Sequence, residues 1–214
     1  MKINILTDNP NSWILPYVDM LKLTLKNHSV NHVFNSTEVE EGDLLLILSC
    51  EKILSTNILK LNKNNVVVHP SKLPQGKGWS PLAWQILEGK NIIPISLFEA
   101  SEDLDSGVVY ILDHIELQGH ELNDEIKHLQ GLKTIELIDR FISNYPMIKG
   151  LQQVGEETFY PRRRVNDNVL DPNKSLKDQF NLLRVVDNER YPAYFIYNGY
   201  KYIIKIYKPN QNEL

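Results

Sequence analysis

The chain has 214 residues, 42% of them hydrophobic, and carries a formal net charge of −4. These values predict one globular domain with a short appended element, and the mildly negative charge disfavours a dedicated nucleic-acid binder. No run approaches the roughly 18 apolar residues of a membrane span, the first residues lack a signal-peptide pattern, and a single cysteine, Cys50, excludes an internal disulfide. We therefore expect a soluble, cytoplasmic protein that binds neither nucleic acid nor a membrane.

The first half of the chain alternates short apolar runs with helical patterns. The patterns predict strands over residues 2–7, 30–34, 44–49 and 66–69, and helices over residues 14–25 and 53–61. The run over 44–49 is apolar throughout, which is typical of a parallel strand covered on both faces. Such alternation predicts an α/β fold, with a Rossmann-like, open, mostly parallel sheet and helices on both faces.

Turn residues delimit the predicted elements in the middle of the chain. A helix is predicted between Ser80, which we expect to act as its N-cap, and Gly89, which should end it. The patterns that follow predict a strand over 92–100, a strand over 108–117 and a long amphipathic helix over 124–145.

The composition changes after Gly155. Helical spacing recurs over 177–186, and a run of aromatic and β-branched residues then predicts a hairpin around the turn Asn198-Gly199. We therefore predict a catalytic domain over 1–150 and a small C-terminal appendage over 151–214. This appendage could bury against a second copy of the chain in a homodimer.

Two residues that follow predicted strands could form a catalytic pair. His69 closes the strand over 66–69, directly before Pro70, and Asp105 lies one helix–strand unit later in a Leu-Asp-Ser-Gly turn. Ligands of open α/β sheets bind at the carboxyl ends of the strands. Alone, each residue is more often structural than catalytic, but at a common edge the carboxylate could orient and charge-support the imidazole.

The sequence around these two residues resembles a known family. HPSKLPQGKGWSP (69–81) followed by LFEASEDLDSGVVY (97–110) is similar to the signature of the folate-dependent formyltransferases. That family includes methionyl-tRNA formyltransferase, glycinamide ribonucleotide transformylase and the sugar N-formyltransferases. The resemblance covers about residues 2–117, and its form is most similar to a short sugar N-formyltransferase subgroup of the pseudaminic-acid pathway type.

The resemblance implies transfer of a formyl group from 10-formyltetrahydrofolate to the primary amine of a nucleotide-linked 4-amino-4,6-dideoxy sugar. His69 would bond to the developing oxyanion or shuttle a proton, and Asp105 would orient His69 and accept the amine proton. The resemblance places the folate at Ser49, Cys50, Ser71, Leu73, Pro74, Ala100, Glu102 and Asp103. It places the acceptor at Lys77, Gly78, Trp79, Arg163, Arg184 and Tyr191.

One position departs from the family pattern. The family carries an asparagine two residues before the catalytic histidine, and this chain has Val67 there. A backbone N–H group, Ser71 or Lys77 could complete the oxyanion site instead. Asn64 and Asn65 lie nearby in the same predicted strand. A catalytically degenerate binding homologue is the alternative that this substitution raises.

Other activities remain open at this stage. Glycinamide ribonucleotide could be the acceptor, or water could replace the amine in a formyltetrahydrofolate hydrolase. The chain ends at Leu214 without the basic barrel of tRNA-formylating relatives, which we expect to disfavour tRNA as the substrate. No His, Cys and carboxylate cluster has metal-ligand spacing, and we expect no metal.

Overall fold

The computed structural model describes residues 1–209, in which strands and helices alternate. The strands are β1 (Lys2–Leu6), β2 (Ser29–Val33), β3 (Gly42–Ile47), β4 (Asn62–His69), β5 (Lys77–Gly78), β6 (Ile92–Glu99), β7 (Val109–Glu116), β8 (Phe159–Tyr160), β9 (Ala193–Tyr197) and β10 (Tyr200–Ile204). The helices are α1 (Leu15–Thr24), α2 (Thr56–Leu59), α3 (Pro81–Leu87), α4 (Asn123–Ser143) and α5 (Phe180–Val185). Each predicted element is present, although the helix expected over 53–61 is reduced to the single turn of α2.

Six strands form the central sheet in the order β2–β1–β3–β4–β6–β7. The strands from β1 to β4 pair in parallel, whereas β6 and β7 run antiparallel to their neighbours. The short loop over 100–108 joins β6 to β7, and a connection of that length suits only antiparallel strands. The parallel strands direct their carboxyl ends to one edge of the sheet, where His69 ends β4.

The two faces of the sheet are buried against different elements. Ile5 and Leu46 pack on one face with apolar residues of α1, α3 and α4. Leu6 and Leu45 pack on the other face, where Ile58 of α2 covers them. Successive residues of a strand point to opposite faces, so the continuous apolar runs serve both cores. The predicted Rossmann-like sheet is confirmed, with α2 and neighbouring loops as the thinner of its two covers.

The predicted hairpin closes the described part of the chain. Its strands β9 and β10 pair antiparallel, and its turn places Asn198 at φ 48° and Gly199 at φ 81°. Two consecutive left-handed residues are what a type I′ turn requires. A third, small core lies beneath the hairpin and contains Leu170, Leu183, Val186 and Ala193. The domain boundary near residue 150 and the homodimer remain predictions. Within residues 1–209, no helix has the length and apolar character to cross a membrane.

Ser80 does not cap α3 as expected. It occupies the N-cap position, but its side chain makes no capping hydrogen bond. Its backbone has the left-handed φ of 53°, whereas a capping serine normally has an extended backbone that aims its oxygen at the first amides of the helix. Pro81 begins the helix, and Gly89 follows its end at φ 87°.

A buried ion pair joins α5 to the sheet domain. Arg184 is 1% exposed, and its Nη2 lies 2.9 Å from Oε2 of Glu121. The same guanidinium donates hydrogen bonds to the Glu121 carbonyl oxygen and to Oδ1 of Asn91. Burial alone would raise the pKa of Glu121, but the amides of Gln118 and Gly119 and the Arg184 charge lower it below its ordinary value.

We predict that Arg184→Met lowers the free energy of unfolding at pH 7 by about 3–5 kcal/mol, because Glu121 would stay buried without its partner. Urea denaturation followed by tryptophan fluorescence measures this change. Because folding lowers the pKa of Glu121, its stabilising effect is present at neutral pH and is lost as the pH falls through the folded value. The difference from the wild type should therefore shrink below about pH 4.

Arg140→Met is the matched control. Arg140 is about half exposed and pairs with Asp113 at the surface, so its loss should cost at most about 1 kcal/mol. Equal destabilisation of the two variants would contradict the assignment of a buried, stabilising pair to Arg184.

Candidate active site

A cleft of about 830 Å³ opens at the carboxyl edge of the parallel strands. Residues that follow β1, β3 and β4 line it, among them Ser12, Ser49 and His69. Its volume lies within the roughly 300–1,000 Å³ that small-molecule sites occupy. The fold therefore gathers the candidate chemistry at the edge where open α/β sheets bind ligands.

Most of the predicted site residues line this cleft. They are Ser49, Cys50, His69, Gly78, Trp79, Ala100, Asp103, Asp105, Arg163 and Tyr191. The remaining ones do not line it, and these are Ser71, Leu73, Pro74, Lys77, Glu102 and Arg184.

His69 and Asp105 approach each other without a direct hydrogen bond. Their side chains are almost buried, and Nε2 of His69 lies 3.9 Å from Oδ2 of Asp105. The same Nε2 lies 2.8 Å from the Gly76 carbonyl oxygen. A carbonyl oxygen can only accept, so Nε2 carries a proton and the neutral ring keeps its lone pair on Nδ1. The Asp105 carboxylate therefore lies within range of a charge interaction with the ring.

Hydrogen bonds to its carboxylate and to its backbone hold Asp105 in place. Its backbone has φ 49°, a conformation that non-glycine residues adopt at a cost and that surrounding contacts must maintain. Oδ2 of Asp105 accepts the Gly78 amide at 2.9 Å. Nε2 of Gln153 donates to the carbonyl oxygens of both Asp105 and Gly107 at 2.8 Å. A Cβ on Gly107 would lie 1.8 Å from the Glu99 carbonyl oxygen, so only glycine allows this close approach.

One part of the cleft is apolar. We call this part the apolar slot, and it is lined by Ile47, Leu54, Leu59, Val67, Phe98 and Ala100. Several of these side chains are only partly buried in the second core and leave apolar surface open to the cleft. A flat aromatic ring with polar edges, such as a pterin, suits a slot of this kind because apolar walls cover its faces.

Cys50 lies on the wall of the apolar slot as a neutral thiol. Burial, reinforced by the nearby Asp8 carboxylate, raises the pKa of Cys50 to about 12. Its Sγ lies 3.3 Å from the Leu6 carbonyl oxygen. The thiolate is the nucleophilic form of cysteine, so Cys50 serves the site as a small apolar wall residue.

The cleft lining also has a basic part. We call it the arginine wall, and it comprises Arg162, Arg163, Arg164 and Arg190. The Arg162 guanidinium stacks over Trp79 at 5.8 Å and pairs with Glu51 at 3.0 Å. Arg163 stacks over Trp84 and donates to Asn168 at 2.6 Å. Burial lowers the pKa of Arg163 below its ordinary value, although a guanidinium stays charged at neutral pH. This wall suits an anionic ligand.

Two predicted acceptor contacts have no support in this geometry. Lys77 is 1% exposed, and its Nζ is held by Ser106 and Glu157 rather than facing the cleft. Arg184 is equally buried in its pair with Glu121. Each cation is enclosed because a partner within the protein compensates its charge, so neither can contact the phosphates of an acceptor in this conformation.

The predicted substitutes for the family asparagine also point elsewhere. Asn64 donates to Glu99 and Tyr110, and Asn65 donates to Glu99 and the Leu59 carbonyl oxygen. The Ser71 hydroxyl is buried away from the cleft. Val67 itself lines the cleft, so the position is filled by an apolar side chain.

The other predicted folate contacts lie beside the cleft. Glu102 hydrogen-bonds with Thr56 at the surface, and Leu73 is buried. Pro74 lies next to it, and its carbonyl oxygen accepts the Thr158 amide. These residues shape the loops around the site, and their side chains are not part of its lining.

Sequence reasoning missed several residues of the site. Gln153 carries no motif, and only the fold brings its side chain to the Asp105 loop. Arg162 and Arg164 belong to an Arg-Arg-Arg run, of which the family resemblance implicates only Arg163. Arg190 precedes the predicted Tyr191 by one residue, and only the fold places it in the cleft lining.

We predict that Cys50 reacts slowly with iodoacetamide in the folded protein. Its pKa of about 12 against the ordinary 9.0 lowers the thiolate fraction at pH 8 by about 10³-fold relative to an unperturbed thiol. The rate, measured by mass spectrometry, should rise about tenfold per pH unit through pH 10. The protein unfolded in guanidinium chloride is the control and should react at the ordinary rate, and a plateau below pH 9 in the folded protein would contradict the raised pKa.

Comparisons with known proteins identify the family of the chain. A model of the formyl transferase family matches residues 12–131. Methionyl-tRNA formyltransferase of Thermodesulfovibrio yellowstonii is 26% identical over 147 residues, which cover 66% of this chain and 47% of the relative. GDP-perosamine N-formyltransferase of Brucella melitensis is 25% identical over 134 residues, covering 62% of this chain and 52% of the relative.

A solved structure shares the fold over nearly the whole chain. Methionyl-tRNA formyltransferase from Clostridium thermocellum superposes with a TM-score of 0.83 at 21% identity, covering 98% of this chain and 94% of that one. The chain spans about half the length of the two curated relatives named above. Since the family model covers more than half of the chain, the chain belongs to the formyl transferase family.

Proposed function

We propose that this protein transfers the formyl group of 10-formyltetrahydrofolate to the primary amine of a nucleotide-linked 4-amino-4,6-dideoxy sugar. The proposal rests on the observation that His69 and Asp105 approach each other in the cleft that contains the apolar slot and the arginine wall. The slot suits the pterin of the formyl donor, and the wall suits the phosphates of a nucleotide.

The reaction needs three events at one carbon atom. The neutral amine attacks the formyl carbon and forms the new C–N bond, and the carbonyl oxygen takes the negative charge of a tetrahedral intermediate. The bond from that carbon to the folate nitrogen then breaks, while the proton lost by the amine is transferred to the departing nitrogen. A site for this chemistry needs a donor for the oxyanion and an acceptor for the amine proton.

His69 is suited to the oxyanion. With Nε2 fixed by Gly76, a proton on Nδ1 would make the ring a cation whose Nδ1–H can donate to the intermediate. The Asp105 carboxylate, 3.9 Å from the ring, would stabilise that cation. Asp105 also keeps lone pairs for the amine proton beyond the one that accepts the Gly78 amide.

Because Val67 cannot donate a hydrogen bond as the family asparagine would, His69 is the main side-chain donor to the oxyanion. Asn64 and Asn65 are engaged on Glu99 and its neighbours, and Lys77 is engaged on Ser106 and Glu157. A backbone N–H group is the remaining candidate for a second donor. We therefore expect this enzyme to depend on His69 more strongly than a relative that also carries the asparagine.

The acceptor class rests on charge and on similarity. The whole chain is acidic, with a formal charge of −4, yet four of its six arginines line the cleft. That arrangement favours a compact anion such as a nucleotide diphosphate over an extended polyanion, which would need a broad basic face. A GDP-perosamine N-formyltransferase among the relatives supports a sugar acceptor, whereas the methionyl-tRNA formyltransferases make charged tRNA the competing one.

We predict that the purified protein, given 10-formyltetrahydrofolate and a panel of nucleotide-linked 4-amino-4,6-dideoxy sugars, adds one formyl mass to at least one sugar. His69→Ala should lower kcat by about 10²- to 10⁴-fold, because the oxyanion donor is lost. Mass spectrometry of the acceptor measures the product. His114→Ala, at an exposed histidine of β7 outside the cleft, is the matched control and should keep full activity.

The same assay separates the competing functions. Glycinamide ribonucleotide and methionyl-tRNA belong in the panel, and formylation of either one instead of a sugar would replace the proposed acceptor. Release of formate without an acceptor would identify a hydrolase. Binding of the folate without turnover of any acceptor would overturn the proposal in favour of a binding protein.

We predict that Asp105→Asn lowers kcat by about 10²- to 10⁴-fold and leaves the KM for the folate nearly unchanged. The asparagine oxygen can still accept the Gly78 amide, so the loop should keep its position while the charge and the proton acceptor are lost. Steady-state kinetics measures both constants. Asp139→Asn, on the exposed side of α4, is the control, and an unchanged kcat in Asp105→Asn would remove Asp105 from the mechanism.

A further inference from the structure

We propose that Lys77 is a positioning residue that fixes Asp105 through Ser106 and ties the Asp105 loop to Glu157. The kinetic part of this inference rests on the proposed function, whereas its structural part does not. Lys77 lies outside the cleft, so any effect on the reaction must pass through the residues that it holds.

Lys77 is a buried cation with two defined acceptors. It is 1% exposed, and its Nζ donates to Oγ of Ser106 at 2.8 Å and to Oε1 of Glu157 at 2.6 Å. The ring of Phe159 lies 5.9 Å from the same Nζ. An ammonium group removed from water is costly unless such partners compensate it. A lysine at this buried position therefore has a desolvation cost that an apolar residue would avoid.

The contacts of Lys77 and of its neighbour converge on the Asp105 loop. The Gly78 amide donates to the Asp105 carboxylate, while the Lys77 ammonium donates to the next residue, Ser106. The Ser106 hydroxyl in turn donates to the Leu104 carbonyl oxygen at 2.9 Å. Lys77 and Gly78 thus donate hydrogen bonds to the side chains of Ser106 and Asp105. Asp105 is the residue with the left-handed φ of 49°. This double contact acts together with the Gln153 hydrogen bond to hold Asp105 in its direction.

The other end of Lys77 is fixed by the segment that contains β8. The Lys77 amide donates to the Thr158 carbonyl oxygen at 2.9 Å, and Oγ1 of Thr158 accepts the Gly76 amide at 2.8 Å. Glu157 is about half exposed, so it retains partial hydration while it compensates the ammonium. Lys77 therefore transmits the position of this segment to the Asp105 loop.

A purely structural role would be to hold β5 against β8. Hydrogen exchange distinguishes the two roles, because the adjacent amides of Gly78 and Trp79 bond to different partners. The Gly78 amide bonds to Asp105, and the Trp79 amide bonds to the Tyr160 carbonyl oxygen. A loss of strand pairing would expose both amides, whereas a misplaced Asp105 would expose only the first.

The first experiment is amide hydrogen exchange by NMR on the full chain, without substrates. In Lys77→Met and in Ser106→Ala, we expect the Gly78 amide to lose protection by about tenfold or more while the Trp79 amide stays protected. Ser106→Ala removes the contact while Lys77 keeps its ion pair with Glu157, so it keeps the test valid if Lys77→Met fails to fold. Lys63→Met, at an exposed lysine paired with Asp43, is the control and should change neither amide.

The second experiment measures kcat and KM for the same variants. Ser106→Ala or Lys77→Met should lower kcat by about 10- to 10²-fold with little change in either KM, because a displaced Asp105 affects the reaction but leaves the apolar slot and the arginine wall in place. In the Asp105→Asn background the same substitutions should have no further effect.

Loss of protection at both amides, additive losses of kcat, or full protection of the Gly78 amide in the folded variants would overturn the positioning role. A wild type that formylates no acceptor would overturn the proposed function alone, since the exchange experiment needs no substrate.

Discussion

The geometry of the candidate site depends on three consecutive residues, Gly76, Lys77 and Gly78. The Gly76 carbonyl oxygen fixes the ring of His69, and the Gly78 amide fixes the carboxylate of Asp105. The segment can do both because it runs tightly against β8, where a Cβ on Gly78 would lie 2.5 Å from the Tyr160 carbonyl oxygen. The two candidate catalytic groups, which are distant in sequence, are thus fixed by the same short segment.

Two sets of elements line the cleft, one with apolar side chains and the other with guanidinium groups. Ile47 and Val67, near the carboxyl ends of β3 and β4, supply apolar walls, because parallel strands covered on both faces are apolar along their central residues. The segment after β8 supplies guanidinium groups, which stack on Trp79 and Trp84 and so keep their charge near the cleft. A ligand with an aromatic part and an anionic part would satisfy both.

Residues beyond position 150 also take part in the geometry of the candidate site. Gln153 fixes the backbone on both sides of Ser106, and Glu157 compensates the charge of Lys77. The arginine wall comes from the same part of the chain. These contacts cross the predicted domain boundary near residue 150, so the predicted appendage contributes directly to the candidate site.

The sequence by itself determined the alternation of strands and helices, the edge at which the chemistry lies, and the candidate pair His69 and Asp105. Those features are local, since they depend on apolar periodicity, on turn residues and on a motif of fixed spacing. Only the tertiary structure decided which charged residues face the ligand. Lys77 and Arg184 look like free cations in the sequence, but Glu157 and Glu121, both distant along the chain, enclose and compensate them. Burial of a charge depends on partners that only the folded chain brings together.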